Sequence, residues 1–346
     1  MKKTLLILGA GASKDVFWYF PTGFELIKEI NYHLTTELRK PYKYGEGPCL
    51  SSLMNELIRA FADTDHKYIK DAIPQSYLEE KQTKDLFKMV RTLKTQLWDH
   101  VLAYEAESSR GKKYNSKTIS IDSFFDKISI ASDENVKKII QYALSFLLIG
   151  CERALVEKID NCYEDWIDNN WINELYKHLI KYEVDDIIEN LKVINFNYDR
   201  SFEFFSERYL KDKGQLSELQ KDKFLNNNVC HIYGSLGKLN NIGFGAINND
   251  NTESMKDVYL NFELMYNGRP NIIWNDNSTF DQILFLGFGY DDENTRKLNL
   301  NKFKSVIKMG TAINISPQRM NEIETSCGIC VSQKKDCKDL ICNQTY

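Results

Sequence analysis

Proline is scarce in this chain, with 6 in 346 residues. Few positions are therefore barred from helix by a missing N–H. Together with 19 Phe, 19 Tyr and 5 Trp, this points to a helix-rich interior packed with aromatic rings. An excess of one charge is lacking too. The 45 basic and 49 acidic residues leave a net charge of −4. A global basic surface for wrapping nucleic acid is thus excluded, and no direct nucleic-acid partner is expected. Long hydrophobic runs are missing. The longest, over 143–151, is interrupted by Ser145 and is shorter than a bilayer span, so no membrane partner is expected. No fixed-period repeat or low-complexity tract occurs. What is present, 42% hydrophobic and 27% charged residues, is a globular composition, long enough for about two domains.

The chain opens with an apolar run of strand length, Thr4-Leu5-Leu6-Ile7-Leu8, that meets Gly9-Ala10-Gly11-Ala12-Ser13. Gly9 and Gly11 allow a tight bend and close approach of a ligand to backbone N–H groups, which suits a pyrophosphate. The third glycine of the full dinucleotide fingerprint is missing. Lys2-Lys3 before this run also has the look of a short signal peptide. The folded pattern that resumes at once favours a buried first strand.

Thr22 and Glu25 have capping-box spacing before a helix carrying Phe24, Ile27, Ile30, Leu34 and Leu38. Further helices are expected over 50–61, 78–104, 136–159 and 166–191, with an exposed polar loop at 107–118. Near residue 192 the texture changes. Short apolar runs, each ending in Gly, Asn or Asp, alternate with helices or long connections. They are Val193–Phe196 before Asn197-Tyr198-Asp199, Val229–Tyr233 before Gly234, Ile283–Leu286 before Gly287-Phe288-Gly289, and Thr311–Ile315 containing Asn314. A helix is expected over 293–308. This alternation describes an α/β fold with a parallel, Rossmann-like sheet, whose ligands bind at the carboxyl ends of the strands. The expected organisation is a discontinuous core of 1–23 and 190–316, a large helical insertion over 24–189, and a Cys-rich tail over 317–346.

Cys49, Cys151, Cys162 and Cys230 are scattered, as suits reduced thiols in a cytosolic protein. Cys327, Cys330, Cys337 and Cys342 form a CxxC-x6-C-x4-C cluster. Its cysteine count suits a zinc site, but its spacing matches no familiar one. A mobile or partner-docking tail is the expectation, with no metal in the catalytic chemistry.

The ordered set GAGAS, N-Y-D, H-I-Y-G, G-F-G-Y-D-D-E-N and M-G-T-A-I-N resembles the sirtuin-like family over residues 1–23 and about 190–316. The resemblance implies NAD as substrate. It assigns the cofactor turn to Gly9, Ala10, Gly11, Ala12 and Ser13, the nicotinamide side to Asn197 with Asp199, and the catalytic base to His231. Gly287 and Gly289 belong to the same cofactor site, and Asn314 lies near the adenosine ribose. The paired CxxC zinc ribbon of protein-deacylating members is missing from 1–320. The GAGAS…PTG form, the Ile121–Phe125 element and the helical segment are similar to bacterial sirtuin-like domains of anti-phage defence, which deplete NAD. The resemblance therefore implies a cytoplasmic NAD glycohydrolase yielding ADP-ribose and nicotinamide. It also implies control by self-assembly or by a partner such as a HerA-type ATPase. A deacylase or ADP-ribosyltransferase, or a non-catalytic NAD or ADP-ribose sensor, are the alternatives.

Breaking the bond from ribose C1′ to nicotinamide passes through an oxocarbenium-like state and expels a neutral leaving group. The needs are a fixed cofactor, a placed water and a base. Asn197 can orient the carboxamide or the water, His231 can accept a proton, and Asp199 can hydrogen-bond the nicotinamide amide. Plain structural roles are open to the same residues. Asp199 can cap a helix, Asn197 can serve a turn, and His231 can be a satisfied core histidine.

Overall fold

The computed structural model describes residues 1–35, 88–90, 92, 93, 95, 97, 134–161, 169–212, 217–239, 242–245, 279–313, 315–332 and 336–344. The expected helix over 50–61, the loop over 107–118, the Ile121–Phe125 element, Cys49, Cys162 and Asn314 lie outside the described residues.

The strands are β1 (Thr4–Leu8), β2 (Leu191–Asn195), β3 (Val229–His231), β4 (Gln282–Leu286), β5 (Ile307–Thr311) and β6 (Cys330–Ser332). They form one sheet in the order β3-β2-β1-β4-β5-β6. Every neighbouring pair is parallel. This is the strand order of doubly wound nucleotide-binding folds, so the α/β Rossmann-like expectation holds. The order reverses about β1, which places a topological switch point between β1 and β4.

β1 is apolar throughout because both of its faces are covered. Leu5 and Ile7 point into a core shared with Ile194, Ile283 and Phe285. Helices α2 (Gly23–Thr35) and α3 (Glu134–Asn161) cover that face. Leu6 and Leu8 point the other way, with Val193, Leu284 and Leu286. There they meet α1 (Ala10–Val16), α4 (Trp171–Leu179), α5 (Val184–Asn190) and α6 (Ser201–Asp212). Within the segment 78–104 the described residues are helical, and Val90, Leu93 and Leu97 are buried in the first core. The described helices of 24–189 thus lie on both faces of the sheet.

Helix starts follow local chemistry. The Thr22 N–H and hydroxyl donate to Glu25 Oε2 at 2.8 Å each, closing back the first turn of α2. Asn170 caps α4 by accepting from Ile172 N and Asn173 N. Ser217 and Gln220 make a full capping box on α7 (Glu218–Asn227).

Three expectations are corrected. The helix over 166–191 is divided into α4 and α5. The helix expected over 293–308 is the short α8 (Asp292–Lys297), and the last strand of the expected core begins at Ile307 rather than Thr311. The cause is Asn299, whose left-handed backbone (φ 47°) ends the helical path and opens a 3-10 turn at Leu300–Phe303. The 317–346 segment is not a mobile tail in its described part. It supplies α9 (Pro317–Cys327), edge strand β6 and α10 (Cys337–Cys342), which buries Cys337, Leu340 and Ile341 beside α4. Its cysteines are free thiols, and no three potential metal ligands converge among the described residues.

The apolar run over 143–151 lies inside α3. By length and composition its window Ile139–Asp160 passes for a membrane span, but 67% of that window is buried within the fold. Glu152, in the same helix, is fully buried and pairs with Arg200. Arg200 Nε donates to Oε1 at 3.0 Å and Nη2 to Oε2 at 2.6 Å. Arg200 also donates to the carbonyls of Ile242 and Gly243, and Gly245 N donates to Glu152. One ion pair therefore ties α3, the start of α6 and the loop after β3. Replacing Glu152 by Ala leaves a buried guanidinium unpaired and is expected to cost about 3–5 kcal/mol. Urea denaturation reads this loss, and the double variant Glu152→Leu with Arg200→Met should recover most of it.

Candidate functional site

The expected site residues that lie among the described residues gather at the carboxyl ends of β1, β2, β3 and β4. Gly9-Ala10-Gly11-Ala12-Ser13 is not a free loop. Gly9 caps α1, which starts at Ala10. The N–H of Gly9 donates to Leu286 O, that of Gly11 to Gly287 O, and that of Ala12 to Gly9 O, at 3.0, 3.0 and 2.8 Å. These three donors are paired with protein carbonyls.

At these glycines two stretches of backbone meet in a seam. A Cβ on Gly9 would lie 2.5 Å from Gly287 O, and one on Gly11 2.9 Å from the same atom. Gly287 sits at φ +55°, and its own Cβ would collide with the Gly11–Ala12 peptide. Its N–H donates to Thr311 Oγ1 at 2.9 Å. The loops after β1 and β4 thus touch main chain to main chain at the switch point. Gly289 differs: it is exposed, and a Cβ there meets nothing within 4 Å.

Asn197 and Ser13 join this seam to β2. Asn197 Nδ2 donates to Gly9 O at 3.0 Å and to Ser13 Oγ at 2.8 Å. These two acceptors settle which end of the amide is which. Asn197 Oδ1 is buried and accepts no hydrogen bond from the described residues. The Asn197 N–H is held by Asn195 Oδ1, so the turn is built by side chains from both ends. Ala12 is held by Trp171, whose indole N–H donates to its carbonyl at 2.9 Å.

Asp199 is fully buried and takes the structural role open to it. Its Oδ1 accepts from Ser201 N at 3.0 Å and from the Ser201 hydroxyl at 2.5 Å, turning the chain into α6. Burial pushes its carboxyl pKa up, against the hydrogen bonds from Ser201 and Ser13.

His231 ends β3. Its Nδ1 lies 2.6 Å from Asn197 O, and its Nε2 contacts Glu203 Oε1. Burial acts to lower its pKa, but the Glu203 carboxylate outweighs this, so the net shift is upward. The pair's contribution to stability is therefore fully present below the ordinary imidazole value near 6.5 and is lost as pH rises through the raised one. The neighbouring thiol of Cys230 is pushed up by burial.

Two functional candidates were missed in the sequence. Glu203 is a lone carboxylate within Ser201-Phe202-Glu203-Phe204-Phe205, and its position among aromatics was the available signal. Arg200 directly follows the N-Y-D element, and its partner Glu152 interrupts an apolar helix. Asn314 lies outside the described residues, so its place near the others is not described.

No family model, curated protein or solved structure matches this chain.

The seam predicts opposite outcomes within one loop. Gly287→Ala must push apart two backbones and adopt a left-handed φ, so it should lower stability by several kcal/mol or prevent soluble expression. Gly289→Ala should change stability by no more than about 0.5 kcal/mol. Thermal and urea denaturation of the two variants checks both.

Proposed function

We propose that this protein is an NAD glycohydrolase that cleaves NAD to ADP-ribose and nicotinamide, as the NAD-depleting effector of an anti-phage defence system. The reading rests on the ordered sirtuin-like motifs. The observation that carries it furthest is the Asn197 side chain. Its amide is locked by Gly9 and Ser13, its carbonyl oxygen is buried with no donor among the described residues, and its main chain contacts His231.

In this reading Asn197 Oδ1 accepts from the attacking water or from the nicotinamide carboxamide. Water adds to ribose C1′ as the bond to nicotinamide breaks with its electron pair, and His231 takes the water's proton. A fixed acceptor beside a proton-accepting imidazole meets the modest demands of expelling a neutral leaving group. Ser13, Asp199 and Ser201 hold Asn197 and the start of α6 in place. Gly289 and its open surroundings suit the approach of the nucleotide. Control by self-association or by a partner ATPase belongs to the same proposal.

A second reading, a non-catalytic NAD or ADP-ribose sensor, draws on one observation: both ring nitrogens of His231 already face protein acceptors. Calorimetric binding of NAD without nicotinamide release would favour it.

The test is nicotinamide release from NAD by the purified protein, alone and with the products of its neighbouring genes. Release is expected, and Asn197→Ala should lower kcat on the order of 10² with the fold retained by circular dichroism. No release under any of these conditions, or undiminished release by Asn197→Ala, sinks the proposal. With His231 as the proton acceptor, kcat/KM should climb with pH and level off at a midpoint above about 6.5.

A further inference from the structure

Glu203 reaches His231 from the first turn of α6, and the two side chains are 10% and 11% exposed. Their geometry constrains the proton count. His231 Nδ1 faces the carbonyl oxygen of Asn197, which can only accept. Nε2 faces a carboxyl oxygen of Glu203. A neutral imidazole has a single N–H, so it cannot donate at both nitrogens. Either His231 is an imidazolium beside a carboxylate, or Glu203 is protonated and donates to Nε2. In both arrangements the pair holds one proton more than a neutral imidazole beside a carboxylate.

The surroundings favour keeping that proton. With it the pair is neutral overall; without it a net negative charge remains in a buried site. Asp199, on the connection from β2 to α6, adds to that negative potential and favours protonation. From α4, the buried Tyr176 hydroxyl feels the Glu203 charge and is itself kept protonated by burial. Glu203 Oε2 is buried and accepts from no described residue. His231 is thus the chief compensation for the Glu203 charge.

We propose that Glu203 is the positioning residue of this site, holding His231 in a one-proton pair whose Nδ1–H fixes the main chain of Asn197. The pair, not a free imidazole, is the unit that gains and loses a proton. This rests on the NAD-cleaving reading for its catalytic consequence. Productive turnover begins with the deprotonated pair. Water forms its bond to C1′, nicotinamide departs with the electron pair of the broken bond, and the water's proton goes to His231 Nε2, from which the pair releases it to solvent. Glu203 touches no reacting atom in this scheme and acts through His231.

Nuclear magnetic resonance titration of the ring nitrogens in the full chain tests the pairing without any need for turnover. The chain has five histidines, and His231→Asn assigns the signal. The His231 midpoint should lie above about 6.5 in the native protein. It should fall by about one pH unit or more in Glu203→Gln, and return toward the native value in Glu203→Asp. The rising limb of kcat/KM against pH should move with it. An equal His231 midpoint in native protein and Glu203→Gln overturns the proposal, as does a fall that Glu203→Asp does not reverse. Absence of NAD cleavage by the native protein would instead overturn the functional reading, while the titration would still decide the pairing.

Discussion

Main-chain contact between the loops after β1 and β4 is the constraint on which the rest of this molecule depends. Gly11 N donates to Gly287 O, and a methyl group on any of Gly9, Gly11 or Gly287 would intrude on the facing backbone. These chains touch where α1 starts, immediately after β1. That start places Ser13 beneath Asn197 and brings Ala12 O to the indole of Trp171. The seam also occupies the crevice at the switch point, where an open sheet of this order commonly admits a ligand.

From the seam outward, polar side chains carry the order to the other strands. Asn197 ties β2 to β1, His231 ties β3 to Asn197, and Glu203 ties α6 to His231. Asp199 and Ser201 turn the chain between them. On the far side of this turn, Arg200 is clamped by Glu152 from α3. A buried ion pair of this kind is costly to break but is weak evidence of net stability, since two desolvated charges offset much of their attraction. Its clear structural consequence is register: the helix carrying Glu203 enters at one depth and one rotation, which is what a hydrogen-bonded His–Glu contact requires.

The aromatic abundance finds its place around the same strand ends. Phe196 packs edge-on to Phe288 and Tyr233, and Phe285, Phe288 and Tyr290 pack on each other. All five rings belong to the core on the α2 and α3 side of the sheet.

Much of the scaffold was legible in the sequence, because it is written in local patterns. The continuous apolar run of β1 reads as a strand buried on both faces, and its bounds match. The turn residues that end β2 and β4 mark those strand ends, and Thr22 with Glu25 marks the start of α2. Where a single backbone conformation decides, local reading failed: Asn299 in the left-handed region ends α8 early and shifts β5. Where partners are distant, it also failed. The edge strand β6 has little apolar signal of its own, and it exists because β5 offers unpaired backbone groups. Of the site, Asn197, Asp199, Ser13 and His231 were legible as types suited to the chemistry. What Asn197, Ser13 and His231 touch was decided by tertiary contacts 34 and 184 residues apart in sequence, whereas Asp199 meets Ser201 two residues on. Glycine at 9 and 11 signals only that a side chain is excluded. Only the fold shows that Gly287 is a neighbour that excludes it. A histidine carries no mark of its protonation; the carboxylate of Glu203 and the carbonyl of Asn197, brought to its two nitrogens by folding, supply it.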